Sequence, residues 1–75
     1  MAKTFSGRQV ANILVREFGF REAGQKGSHI KLRKKTHGGY VITVVPLHRE
    51  LAMGTMRGIL KLAHVEYDEF IKKAG

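Results

Sequence analysis

Histidine is the ordinary side chain for moving protons near neutral pH, and one of the four histidines in this sequence stands apart by its neighbours. His29 follows Gly27 and Ser28 and heads a run in which Lys31, Arg33 and Lys34 come close behind. An imidazole with a pKa near about 6.5 can take the proton of an RNA 2′-hydroxyl or return one to a leaving 5′-oxygen, a role typically worth about 10²–10⁴-fold in rate. Gly27 would let a phosphate approach the backbone, and Lys26, Lys31 or Arg33 could offset charge developing on phosphorus. The alternative is an exposed histidine on a basic strand that does no chemistry.

The other polar candidates are weaker. His48, between Leu47 and Arg49, fits a phosphate contact or a turn better than a second acid–base group. His37 falls in a glycine-rich connection and His64 near a helix end, so both read as exposed or packing residues. Four histidines with few carboxylates could suggest a metal, but none shows the paired spacing of a recognised site, and no cofactor is expected. Ser28 lacks the strand–turn–helix elbow of a hydrolase nucleophile. The sequence has no P-loop, dinucleotide glycine fingerprint or deaminase signature.

The charge around His29 points to a polyanion. The chain of 75 residues carries 14 Lys and Arg against 6 Asp and Glu, a formal net charge of +8. The excess is concentrated in residues 21–37, where Arg21, Lys26, Lys31, Arg33, Lys34 and Lys35 stand against Glu22 alone. The last third of the chain is balanced. Such clustering is the footprint of a phosphate-backbone surface, with Lys26, Gly27, Ser28, Lys31, Arg33, Lys34, His48 and Arg49 as candidate contacts. The competing view is a solvated strand pair whose lysines guard a sheet edge. Absence of cysteine excludes disulfides, Cys-based zinc and thiol catalysis. No apolar run is long enough to span a membrane and no signal-peptide core is evident, so a soluble cytoplasmic protein of one domain, residues 1–75, is expected.

These residues need elements to position them. Ser6 and Gln9 have the spacing of a capping box, with Phe5 and Val10 as its hydrophobic staple, and predict a helix over residues 6–18 ended by Gly19. Val10, Ile13, Leu14 and Phe18 form its apolar stripe. A strand is expected over 20–24 and a second over 28–34, where Ile30 and Leu32 face the core and His29, Lys31 and Arg33 face out. Lys35 to Gly39 reads as a hairpin connection with two glycines available for positive φ. A third strand covers 40–45. There the pattern is too continuously apolar to say whether the Val41 and Thr43 row or the Tyr40, Ile42 and Val44 row is buried.

Thr55 can cap a second helix over about residues 56–63, with Met56, Ile59, Leu60 and Ala63 inward. Gly58 inside that helix suggests close backbone packing or a ligand. A short third helix over about 67–73 would pack Phe70 and Ile71. The result is an α+β, two-layer fold with a three-stranded antiparallel sheet and one sheet face free for a ligand. Such a face suits duplex RNA read by shape and phosphate. Without an exposed aromatic ladder or a basic recognition helix, a single-strand stacking platform and a helix-turn-helix DNA regulator are both disfavoured. A non-catalytic double-stranded-RNA-binding module and a domain for an acidic protein partner remain competing readings.

The chain closely resembles the HicA (YcfA-like) toxins, small RNA-cleaving components of type II toxin–antitoxin modules. The resemblance runs through Ser6-Gly7 and the first helix, Gly19-Phe20, Gln25-Lys26-Gly27-Ser28-His29, Val45-Pro46-Leu47-His48, Gly54-Thr55 and Ile59-Leu60. Each piece alone is weak; their order and spacing together are specific. The resemblance implies a double-stranded-RNA-binding-domain-like fold, α-β-β-β-α with a short extra C-terminal helix, and an mRNA interferase activity. It implies His29 as the catalytic histidine and inhibition by a HicB-like antitoxin covering the active surface. Contact with DNA would come only through the toxin–antitoxin complex. One departure stands out: Leu62-Ala63-His64 lacks the glycine often found before the last helix.

Overall fold

The computed structural model describes residues 4–75. In chain order the elements are α1 (Gly7–Phe18), β1 (Arg21–Lys26), β2 (His29–Thr36), β3 (Gly39–Pro46), α2 (Met53–Ala63) and α3 (Tyr67–Ala74). Helix α1 forms where its signals predict. The Ser6 hydroxyl accepts from the Gln9 amide at 3.1 Å, and the Gln9 side chain accepts from the Ser6 amide at 2.9 Å. Gly19 ends the helix in the left-handed region at φ 79.

The three strands form one antiparallel sheet in the order β1-β2-β3. Helices α1 and α2 pack on one face of β2 and β3. Ile30 and Leu32 from β2, with Thr43 and Val45 from β3, point into that layer and are buried. The question left open for β3 is thus decided for Thr43 and Val45, while Tyr40, Ile42 and Val44 face out. The Thr43 hydroxyl reconciles its burial by donating to the Ile59 carbonyl of α2 at 2.9 Å. Helix α3 closes the other end through Phe70, which meets Phe5 edge-on and stacks on Phe18, with centroids 5.5 and 6.2 Å away.

Every strand is longer than its hydrophobic pattern. β1 runs on through Gln25 and Lys26 because the hairpin to β2 needs only Gly27 and Ser28, with Gly27 at φ 57 supplying the positive dihedral of a two-residue turn. The second hairpin likewise closes on His37 and Gly38, and its positive φ falls on Gly39 rather than Gly38. All six residues of β1 are exposed, so the first hairpin overhangs the helical layer as an edge.

Helix α2 begins at Met53, not after Thr55; its cap is Ala52, which offers no side-chain bond. Gly58 is not a close-packing position either, since a Cβ there would meet nothing within 4 Å. The tight glycine is Gly7. A Cβ on it would lie 1.9 Å from the Pro46 carbonyl oxygen, because α1 starts hard against the end of β3. Phe70 is buried and Ile71, half-buried, packs against the core, as expected for this helix. At the α2–α3 junction His64 adopts the left-handed conformation itself, at φ 59 and ψ 38, which is where a glycine would ordinarily sit.

Candidate RNA-binding face and histidine site

Strand register decides what shares a face with His29. His29 precedes the buried Ile30, so its side chain lies on the sheet face away from the helices. Directly opposite residues of an antiparallel pair share a face. Lys26 is therefore beside His29, Gly24 beside Lys31, and Arg21 beside Arg33. From β3, Val44 is beside Lys31, Ile42 beside Arg33 and Tyr40 beside Lys35. The face carries an edge column of Arg21 and Lys26, a central column of His29, Lys31, Arg33 and Lys35, and an apolar column of Tyr40, Ile42 and Val44. Its paired positions include no carboxylate.

A bulge in β1 makes this arrangement. The register shifts between Glu22 and Gly24, leaving Ala23 as the extra residue. Strict alternation from Arg21 would send Lys26 to the helix side. With the bulge, Lys26 returns to the outer face and sits opposite His29, with Cβ atoms of such a pair about 4.5–5.5 Å apart. Glu22 goes the other way and meets Arg8 of α1 at 3.6 Å, so the one carboxylate in this basic segment is kept off the cationic face.

The His29 turn is held at both ends. Gln25 Nε2 donates to the Gly27 carbonyl at 3.2 Å, and the Leu47 amide donates to the Ser28 carbonyl at 2.6 Å. The Gly7 amide then donates to the His48 carbonyl at 2.9 Å. Turn, strand exit and the start of α1 thus meet at one end of the sheet. The His29 ring is exposed on this frame, and a shallow depression of about 370 Å³ beside it is lined by Gly24, Gln25, Lys26, His29, Lys31 and Val44.

The expected residues divide in three. Lys26, His29, Lys31 and Arg33 share the outer face, and Gly27 and Ser28 form the turn at its end. His48 and Arg49 are exposed at the same end, beyond Pro46, but do not line the depression. Lys34 does not join them. It follows the buried Leu32 by two positions, is half-buried, and places its ammonium 5.7 Å from the centre of the Phe20 ring. Its cation is used in packing.

Arg21, Lys35 and Tyr40 belong to the face and were not singled out from sequence. With Arg33 and Gly19 they line a second hollow at the far end of the strands, where the Arg33 guanidinium lies 4.7 Å from the centre of the Tyr40 ring. Only the pairing register could have found them, and that depends on the exact turn lengths. A further hollow at the α2–α3 corner, lined by Arg57, Leu60, Lys61, His64, Val65, Glu66 and Tyr67, shares no residue with the His29 end. Among the described residues no group of three or more His, Asp or Glu side chains could hold a metal ion. No helix among them is long and apolar enough to cross a membrane.

The family model described as the HicA toxin of bacterial toxin-antitoxin matches residues 7–65, which takes in α1, the whole sheet and α2. The chain belongs to the HicA toxin family. No curated protein matches it. This HicA chain is accordingly the toxin side of a toxin–antitoxin module, with an antitoxin as partner. The match stops before α3, the short extra helix beyond the family core.

Proposed function

We propose that this HicA toxin is an endoribonuclease that binds RNA on the outer sheet face and cleaves it with His29. The reading is carried by one observation: His29 stands on a carboxylate-free face, opposite Lys26 and two residues from Lys31. The chemistry is transesterification. The 2′-oxygen attacks the adjacent phosphorus, the bond to the 5′-oxygen breaks, and a 2′,3′-cyclic phosphate and a 5′-hydroxyl remain. His29 takes the 2′-hydroxyl proton or, when protonated, gives one to the leaving 5′-oxygen; solvent at this open site exchanges the other. Lys26 and Lys31 counter the charge on the phosphoryl oxygens as it grows.

Cleavage needs no metal in this proposal, since an imidazole can move the proton and neighbouring ammonium groups can offset the phosphoryl charge. RNA runs along the central column, where the four residue steps from His29 to Arg33 span roughly 13 Å. A HicB-like antitoxin inhibits by covering the same face. An acidic contact surface would complement the cations on it. The test is incubation of wild-type and His29→Ala protein with RNA, with and without chelator, and mapping of the product ends. The expected result is loss of about 10²–10⁴-fold in cleavage rate with RNA affinity retained, chelator-resistant activity in the wild type, and 5′-hydroxyl ends. Products with 5′-phosphate ends, or undiminished cleavage by His29→Ala, would contradict it.

A further inference from the structure

The depression beside His29 has walls unlike the rest of the cationic face. It is predominantly apolar, although Lys26, His29 and Lys31 border it. The cause is Gly24. Register puts this glycine in the same cross-strand row as Lys31 and Val44, so the row has a side chain on two strands and bare backbone on the third. A Cβ on Gly24 would meet nothing within 4 Å, so the space above it is open. The bulge at Ala23 is again responsible, because it carries Gly24 to the outer face where strict alternation would have placed Ala23.

We propose that this hollow is a nucleobase subsite, seating the base of a nucleotide next to the cleaved bond. It rests on the reading of His29 as the cleaving residue. The Gly24 row lies one side-chain repeat from the His29 row, about 6–7 Å along the strands. A phosphate at His29 and Lys26 therefore has a base of its own or a neighbouring nucleotide within reach of the hollow. A flat apolar base face fits carbon walls at Gly24 and Val44, while phosphates on either side meet the ammonium groups of Lys26 and Lys31. A deep duplex would not present a base here, so the subsite takes single-stranded or splayed RNA. An apolar side chain of the antitoxin is the competing occupant; the bordering cations and the adjacent imidazole favour a nucleotide.

The experiment combines cleavage and binding. A randomised single-stranded RNA pool is cut by wild-type, Gly24→Val and Val44→Ser protein, and the ends are sequenced. Gly24 sits at φ 149, where a side chain is strained, so Val44→Ser provides a second variant with an unstrained backbone. Wild-type ends should be biased for one base at one position beside the cut, and both variants should flatten that bias several-fold while still cleaving. In parallel, a labelled RNA with a single abasic position moved along it is titrated with His29→Ala protein, which leaves the RNA intact. One position should weaken binding by about 5–20-fold, and the Val44→Ser change should remove that sensitivity. Unbiased ends, or affinity indifferent to every abasic position, would overturn the subsite even if His29 proves catalytic. If wild-type protein cleaves nothing, the catalytic reading falls and the abasic series still decides whether a base occupies the hollow. Variants that keep their base bias but lose affinity for the antitoxin would assign the hollow to the protein partner and reject the proposal.

Discussion

At the scale of single residues, the outer face separates cations that share a composition but not an orientation. Lys31 and Arg33 stand on the outer face proposed to bind RNA, whereas Lys34 lies against Phe20. Removing either of the first two should lower the slope of log affinity against log salt by about 0.7, the value for one contact to a single strand. Lys34→Ala should leave that slope unchanged and lower the melting temperature instead, since its ammonium lies over the Phe20 ring. Titration of RNA at several salt concentrations with the three variants checks this. His64 gives a stability test of the same grain. A non-glycine residue in the left-handed region costs about 1–2 kcal/mol, so His64→Gly should stabilise the fold by up to about 1 kcal/mol in urea unfolding, after its greater unfolded-state entropy is offset.

At the scale of elements, two glycines have opposite roles that the sequence does not distinguish. Gly7 begins α1 against the Pro46 carbonyl, and Gly7→Ala would require α1 and the end of β3 to separate. That change should destabilise the protein by several kcal/mol and disturb the His48 and Ser28 anchors that hold the turn. Gly58 lies in α2 with open space where a Cβ would go and no positive φ. Gly58→Ala should therefore stabilise by about 0.5–1 kcal/mol through helix propensity and a restricted unfolded chain, as chemical denaturation would read. The Ser6 and Gln9 capping box, by contrast, was legible because its mechanism is local: both bonds span three residues. The start of α2 was not, because Met53 joins the helix without a capping side chain and Thr55 offered a false signal.

At the scale of the molecule, the fold gathers unbalanced charge on one face. The outer sheet face carries Arg21, Lys26, Lys31, Arg33 and Lys35 with no carboxylate at its paired positions, whereas on α3 Asp68 and Glu69 are balanced by Lys72 and Lys73. RNA binding should then fall steeply with ionic strength, with a log–log slope of about −2 to −3.5 if three to five phosphates are engaged. A flat response measured by fluorescence anisotropy would remove this face as the binding surface. The same concentration of charge on one face gives an inhibitor a compact target. A tenfold rise in salt should slow association with an acidic antitoxin more than it speeds dissociation.

Amino-acid order alone determined the α+β class, the first helix with its caps, the inward direction of Ile30 and Leu32, and His29 as the residue to test. Each of these follows from local bonding or from a period of 3.6 or 2 within one element. The family resemblance was legible for the same reason, in short motifs held at fixed spacing, and the match over residues 7–65 bears it out. Tertiary structure decided which β3 row is buried, that Gly7 rather than Gly58 is the packing glycine, and which cations stand with His29. Those outcomes depend on how separate strands align. One extra residue at Ala23 reverses the face of everything after it in β1, and alternation cannot register that shift until the partner strand is in place. The bulge carries Lys26 to His29 and opens the hollow at Gly24.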